Sequence, residues 1–204
     1  MKNLRWTLCL LVAALLVLPL VACSSDEPDE MAEDEMEEPM DEPMDEPMMA
    51  MTGAASLVGA DGSNISGNVS FQEDNGALTV TASVTGAPPG EHGLHIHANG
   101  ICEGDYTSAG GHFNPANTDH GCPPVSPRHA GDLGNITIGA DGSGTLTVTV
   151  DNATLAEATN SVVGKAMILH AGADDCKTQP TGDAGSRLAC GVIAVDGAMA
   201  GDAY

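Results

Sequence analysis

The chain has 204 residues, of which 29 are acidic and 6 basic, giving a net charge of −23 with histidine neutral. No cluster of Lys or Arg could track a phosphate backbone, which excludes nucleic acid as a partner. Aromatic residues make up only 2% of the chain, so a core has to be built from Val, Ile, Leu and Ala.

At the N-terminus, Lys2 and Arg5 precede an apolar run from Trp6 to Leu18, and the small residues Val21-Ala22 precede Cys23. A basic start, a short hydrophobic segment and a small-residue cleavage site predict a secretory signal over residues 1–22. The run is shorter than the roughly 20 apolar residues that a membrane span needs. Leu20-Val21-Ala22-Cys23 resembles the lipobox of bacterial lipoproteins, in which the cysteine is acylated and becomes the new N-terminus. The expectation is an exported protein held to a lipid bilayer through Cys23, on a bacterial membrane and facing the periplasm or the cell surface. Several acyl chains, each contributing roughly 0.8 kcal/mol per buried CH₂, make such an anchor firm.

Residues 23–53 read as a tether. Thirteen acids and no Lys or Arg fall between Ser24 and Met51, and Glu38-Pro39-Met40, Glu42-Pro43-Met44 and Glu46-Pro47-Met48 recur every four residues. So much charge and proline, with almost no branched or aromatic residues, cannot bury enough surface to offset chain entropy. An extended, self-repelling spacer is the expectation. Its seven methionines also make it a candidate for transient Cu(I) capture, because thioethers are soft ligands.

From Ala54 the pattern becomes period-two alternation, and residues 54–204 read as one folded domain with sixteen acids against four basic residues. Leu78, Val80, Ala82 and Val84 alternate with Thr79, Thr81 and Ser83; Leu146, Val148 and Val150 alternate with Thr145, Thr147 and Thr149. Asp61-Gly62, Asn75-Gly76 and Asp141-Gly142 are turn signals between such runs. The prediction is an all-β domain, an antiparallel β-sandwich or barrel. Two glycine-rich stretches, about 100–134 and 171–188, break the rhythm, and irregular loops of this length are usually functional.

Six of the seven histidines gather around these loops. His95 and His97 are two apart in a strand-like run, so both rings leave the same face and can form two corners of a tetragonal nitrogen site suited to Cu(II). His170, closing the run Ala166-Met167-Ile168-Leu169, can supply another corner. His112, His120, His129 and Asp132 offer three nitrogens and one oxygen, a set suited to tetrahedral zinc. Spacing alone leaves open which ion sits where and whether a ligand is shared. With Cys9 leaving in the signal and Cys23 acylated, Cys102, Cys122, Cys176 and Cys190 form an even set. In an exported protein that reads as two disulfides, with three connectivities open.

These segments in order (His95-Ile96-His97, Ser108 to Pro115, His120-Gly121, Arg128 to Asn135, Thr181 to Ile193) resemble copper/zinc superoxide dismutases over roughly Ala54 to Val195. The resemblance implies an immunoglobulin-like Greek-key sandwich or barrel of about eight strands. It implies two cofactors, a copper ion on His95, His97, His112 and His170 and a zinc ion on His112, His120, His129 and Asp132, with His112 shared. It further implies that superoxide is the substrate, that Asp174 is a carboxylate linking a ligand histidine of each ion, and that His92 ties neighbouring loops together. Arg187 is implied to stand beside the copper channel, as a catalytic residue with His112. Cys190 matches one half of the family disulfide, with Cys102 as its partner, which leaves Cys122–Cys176 as a second bridge between the two loops. Of the lysines that could draw in anions, the second loop keeps only Lys177. A homodimer is left open. The competing class is a copper and zinc binding protein without turnover.

Overall fold

The computed structural model describes residues 50–60 and 62–196; the signal, Cys23, Asp61 and most of the tether lie outside them. Nine strands are present among the described residues: β1 (Met51–Gly59), β2 (Ser66–Asp74), β3 (Ala77–Thr85), β4 (Gly90–His97), β5 (Asp132–Ile138), β6 (Gly144–Val150), β7 (Ala166–His170), β8 (Arg187–Val192) and the short β9 (Ala194–Val195). A single 3-10 turn, Thr107–Ala109, lies in the first long loop. No helix among the described residues is long and apolar enough to cross a membrane.

All ladders are antiparallel. The strand order is β5-β4-β7-β8-β1-β2-β3-β6, with β9 added beside β1. The two ends of that order, β5 and β6, lie side by side, because the turn at Asp141-Gly142 joins them and the Gly139 N–H donates to the Ser143 carbonyl at 2.8 Å. The result is a nearly closed Greek-key barrel, the all-β architecture that the alternation predicts. Strand β1 starts at Met51, three residues before the alternation becomes readable in the sequence.

Burial follows the side-chain period of two. On β3, Leu78, Val80, Ala82 and Val84 are buried, while the outward threonines pair with those of β6: Thr79 with Thr149 at 3.1 Å and Thr81 with Thr147 at 3.3 Å between hydroxyls. Asp74 pairs with Ala77, so β2 and β3 are joined by Asn75-Gly76 alone. Both residues have positive φ, 49° and 78°, the pair of left-handed positions that a type I′ hairpin turn demands and that Asn-Gly supplies at least cost.

Strands β4 and β7 behave differently, being buried on both faces. Leu94, Ile96, Met167 and Leu169 point into the main core. On the other face, Ala166 and Ile168 join Tyr106, Ala109 and Cys190 in a second apolar cluster beneath the first long loop. The loops therefore roof this part of the barrel wall, and the metal-ligand candidates lie under the roof. Register irregularities fall between Gly93 and His95 on β4 and between Leu169 and His170 on β7. Such bulges re-aim a side chain next to a site.

Candidate metal centre

His95 and His97 leave the outer face of β4, and His170 ends the adjacent β7. His112 is brought to them by an isolated bridge that pairs it with His97. The loop is pressed against β4 by a chain of backbone hydrogen bonds: Phe113 N–H to the Ile96 carbonyl (2.8 Å), Gly131 N–H to Phe113 (2.9 Å) and Ile96 N–H to Gly131 (2.9 Å). A side chain on Gly131 would start 2.1 Å from the Ile96 oxygen, so close approach requires glycine there. The same approach sets His129 and Asp132 beside His112. Two fully buried groups result, His95, His97, His112 and His170 in one and His112, His120, His129 and Asp132 in the other. Within each, the ligand atoms all lie within 4.8 Å of one another. His112 belongs to both.

Hydrogen bonds assign the free nitrogens. A neutral imidazole has one N–H and one lone pair. His97 Nδ1 donates to the Gly110 carbonyl (2.9 Å) and His170 Nδ1 to the Gly185 carbonyl (3.1 Å), which leaves two Nε2 lone pairs 3.1 Å apart. Burial drives the pKa of His97 down to about 2 and of His170 to about 3, so no proton settles between them. His95 Nε2 donates to Asp174 Oδ2 (2.7 Å), and its Nδ1, like His112 Nε2, is buried with no hydrogen-bond partner among the described residues. Four lone pairs converging with no donor to share fit one cation, and an all-imidazole donor set suits copper.

On the other side, one oxygen, Asp132 Oδ1, faces Nδ1 of His112, His120 and His129 at 2.8, 3.0 and 3.3 Å. The second oxygen is held by the N–H groups of Gly121 (3.1 Å) and His129 (2.9 Å). Burial opposes ionisation of Asp132, but bonds from His112 and His120, with the His129 ring close by, hold its carboxyl far below the usual carboxylate range. Desolvation also works against a charge on His120, yet Asp132 and Asp174 outweigh it and raise the ring to about 9. That ring, clasped between two carboxylates, marks the place where a dication substitutes for a proton. Three nitrogens and one carboxylate oxygen fit zinc.

Asp174 joins the two groups. Its carboxylate accepts from His95 Nε2 and, through Oδ1 at 2.9 Å, from His120 Nε2, so both rings turn Nδ1 toward the metal positions. Despite burial, these bonds and the Cys176 N–H (2.7 Å) keep it ionised. Three residues that sequence reasoning missed as functional hold this arrangement. Asn135 on β5 accepts from the Asp174 N–H (2.7 Å) and donates to its carbonyl (2.9 Å). Gln179 accepts from the His120 N–H (2.8 Å) and donates to its carbonyl (3.0 Å). Gly182 leaves no room for a Cβ, which would lie 1.9 Å from Asp174 Oδ1 and 2.7 Å from His120 Nε2. The only available signal was that Asn135 and Gly182 sit inside the long motifs.

The remaining candidates are placed as follows. The ring nitrogens of His92 lie 2.8 Å from the carbonyls of His170 and Pro88, tying the end of β7 to the approach to β4. The Arg187 guanidinium donates to the carbonyls of Tyr106 and Gly110; the Gly110 oxygen thus serves both Arg187 and His97. Burial depresses the Arg187 pKa, and Asp105 opposes that effect. Cys102 is joined to Cys190, and Cys122 to Cys176, the latter linking the two long loops. Lys177 is exposed.

A family model for copper/zinc superoxide dismutase matches residues 65–193, a span that contains every residue of the centre. Among solved structures, the chain is similar to the clock protein EA4, at 37% identity and a TM-score of 0.64, over 70% of this chain and 93% of that one.

Proposed function

The chain belongs to the copper/zinc superoxide dismutase family, and from that membership we propose that it converts two superoxide anions and two protons into oxygen and hydrogen peroxide. The observation that carries this reading is His112, one buried ring belonging to two complete four-ligand groups. A ring common to both groups would couple the two ions to each other, which storage alone does not require. With copper on His95, His97, His112 and His170 and zinc on His112, His120, His129 and Asp132, the bound metals would supply one-electron exchange with superoxide and a fixed positive charge.

The protein's own part is positional and protonic. His112 Nδ1 is committed to the Asp132 side, while Nε2 carries a free lone pair in a dry environment. That atom can take up a proton and donate it to the reduced substrate as it leaves. Arg187 spends two donors on loop carbonyls, and the rest of its fork holds the anion beside His97. Asp174 keeps the rings of His95 and His120 in one tautomer throughout.

The test is superoxide consumption by the full chain reconstituted with both metals. Activity should vanish on copper removal and return on re-addition, and Arg187→Ala should lower it at least tenfold, about 1.4 kcal/mol of barrier. Metal uptake without superoxide consumption would leave the competing reading, a copper and zinc carrier, which the methionine-rich segment favours.

Two disulfides mark a protein exported to an oxidising compartment. We place it there as a lipoprotein, with Cys23 acylated in a bacterial membrane and residues 24–50 spacing the domain from the bilayer, since β1 already begins at Met51.

A further inference from the structure

The Cys122–Cys176 bridge contacts the centre without belonging to either metal group. Its two sulfurs and the Asp174 carboxylate form a third group whose ligand atoms lie within 4.8 Å of one another. We propose that opening this disulfide creates a third metal site, in which Cys122 Sγ, Cys176 Sγ and Asp174 take a thiophilic cation, Cu(I) or Zn²⁺.

Four observations carry it. First, both half-cystines are partly exposed, whereas in the other bridge only Cys102 is and Cys190 is just 2% exposed. Thiol–disulfide exchange needs access to a sulfur, so a dithiol finds two open sulfurs at Cys122–Cys176 and one at Cys102–Cys190. Second, the loops do not depend on the bridge to stay together. Gln179, three residues beyond Cys176, grips both backbone groups of His120, two residues before Cys122, and Asn135 grips Asp174. The two thiols therefore remain neighbours once separated. Third, Cys176 is held in the left-handed region at φ 61°, with its N–H on Asp174 Oδ1, which keeps its side chain beside that carboxylate whether or not the sulfur is bonded. Fourth, the Cα atoms are 5.1 Å apart, close enough for two sulfurs to flank one ion at metal–sulfur distances of about 2.3 Å.

The chemistry balances with one co-reactant. A dithiol donates two electrons and two protons to the Cys122–Cys176 bond and becomes a disulfide itself, leaving two thiols. Cation binding then displaces the two thiol protons, and two thiolates prefer Cu(I) or Zn²⁺ to the harder divalent ions. An ion held there sits on the carboxylate that already touches one histidine of each metal group.

The experiment uses the full chain with both histidine groups filled first, oxidised or treated with a dithiol, with free thiols mapped by alkylation and mass spectrometry. Bound metal is then counted in separate titrations with Zn²⁺ and Cu(I), with sulfur-to-metal absorption in the ultraviolet as a second readout. Expected are one additional ion per reduced chain, none per oxidised chain, and none in the reduced Cys122→Ser/Cys176→Ser variant, which retains the other cysteine pair. The arm that binds more tightly identifies the cation. No additional ion with Cys122 and Cys176 shown free, persistence of that ion in the double variant, or prior opening of Cys102–Cys190 would each overturn the assignment. None of these readouts depends on superoxide turnover.

Discussion

Among the described residues, His120 is the one ring that bonds both carboxylates of the centre, Asp132 through Nδ1 and Asp174 through Nε2. Asp174 is correspondingly a positioning residue for both metal groups. Asp174→Asn preserves its size but leaves either His95 or His120 without a proper acceptor. Affinity for copper and zinc should then fall about 10- to 100-fold, as read by competition with a chelator; unchanged affinity for both ions would refute the role. The metal-free protein should also be acid-sensitive. His97, His112 and His170 are pulled by burial to about 2, 4 and 3 from 6.5. Below pH 6.5 the unfolded chain therefore takes up protons that the fold refuses, and stability falls with pH. His120, raised to about 9, has the opposite sign: its contribution is complete below 6.5 and is lost as pH rises through 9. Three rings outweigh one, so the melting temperature of metal-free protein should drop between pH 7 and about 4, and a flat profile would contradict these assignments.

At the scale of elements, β3 and β6 were legible because one face is wet and threonine alternates with Leu and Val. The parity of His95 and His97 on β4 was legible for the same geometric reason. What alternation could not reveal is that β4 and β7 are dry on both faces, since their cover comes from loops distant in sequence. Asn135 and Gln179 were invisible for a related reason: an amide that clamps a backbone 39 or 59 residues away leaves no local pattern. The ligand set itself came from the motifs and their order, because spacing alone could not divide the histidines between two ions. The strand-to-loop seam at Gly131 gives this scale its test. Gly131→Ala puts a methyl group against the Ile96 carbonyl and the Phe113 N–H, and the backbone shift that follows should cost about 1–3 kcal/mol. A lower melting temperature together with weakened zinc retention is expected; a change in neither would mean that the seam does not set the centre's geometry.

For the molecule as a whole, the net charge of −23 is an obstacle to an anionic substrate. Thirteen of the acids lie between Ser24 and Met51, however, and screening over about 8 Å at physiological ionic strength removes most of their influence at a distance. Deleting residues 24–50 should therefore change superoxide consumption less than twofold at moderate salt, while Cys23→Ser should move the protein from the membrane to the soluble fraction. A large gain in turnover on deletion would show that the segment's field reaches the centre. The barrel has one more consequence at this scale. Because β5 and β6 lie against each other at the ends of the strand order, each narrows the border that the other would offer to a neighbouring copy. Copies packed at high density then have little backbone left over for stitching themselves into filaments.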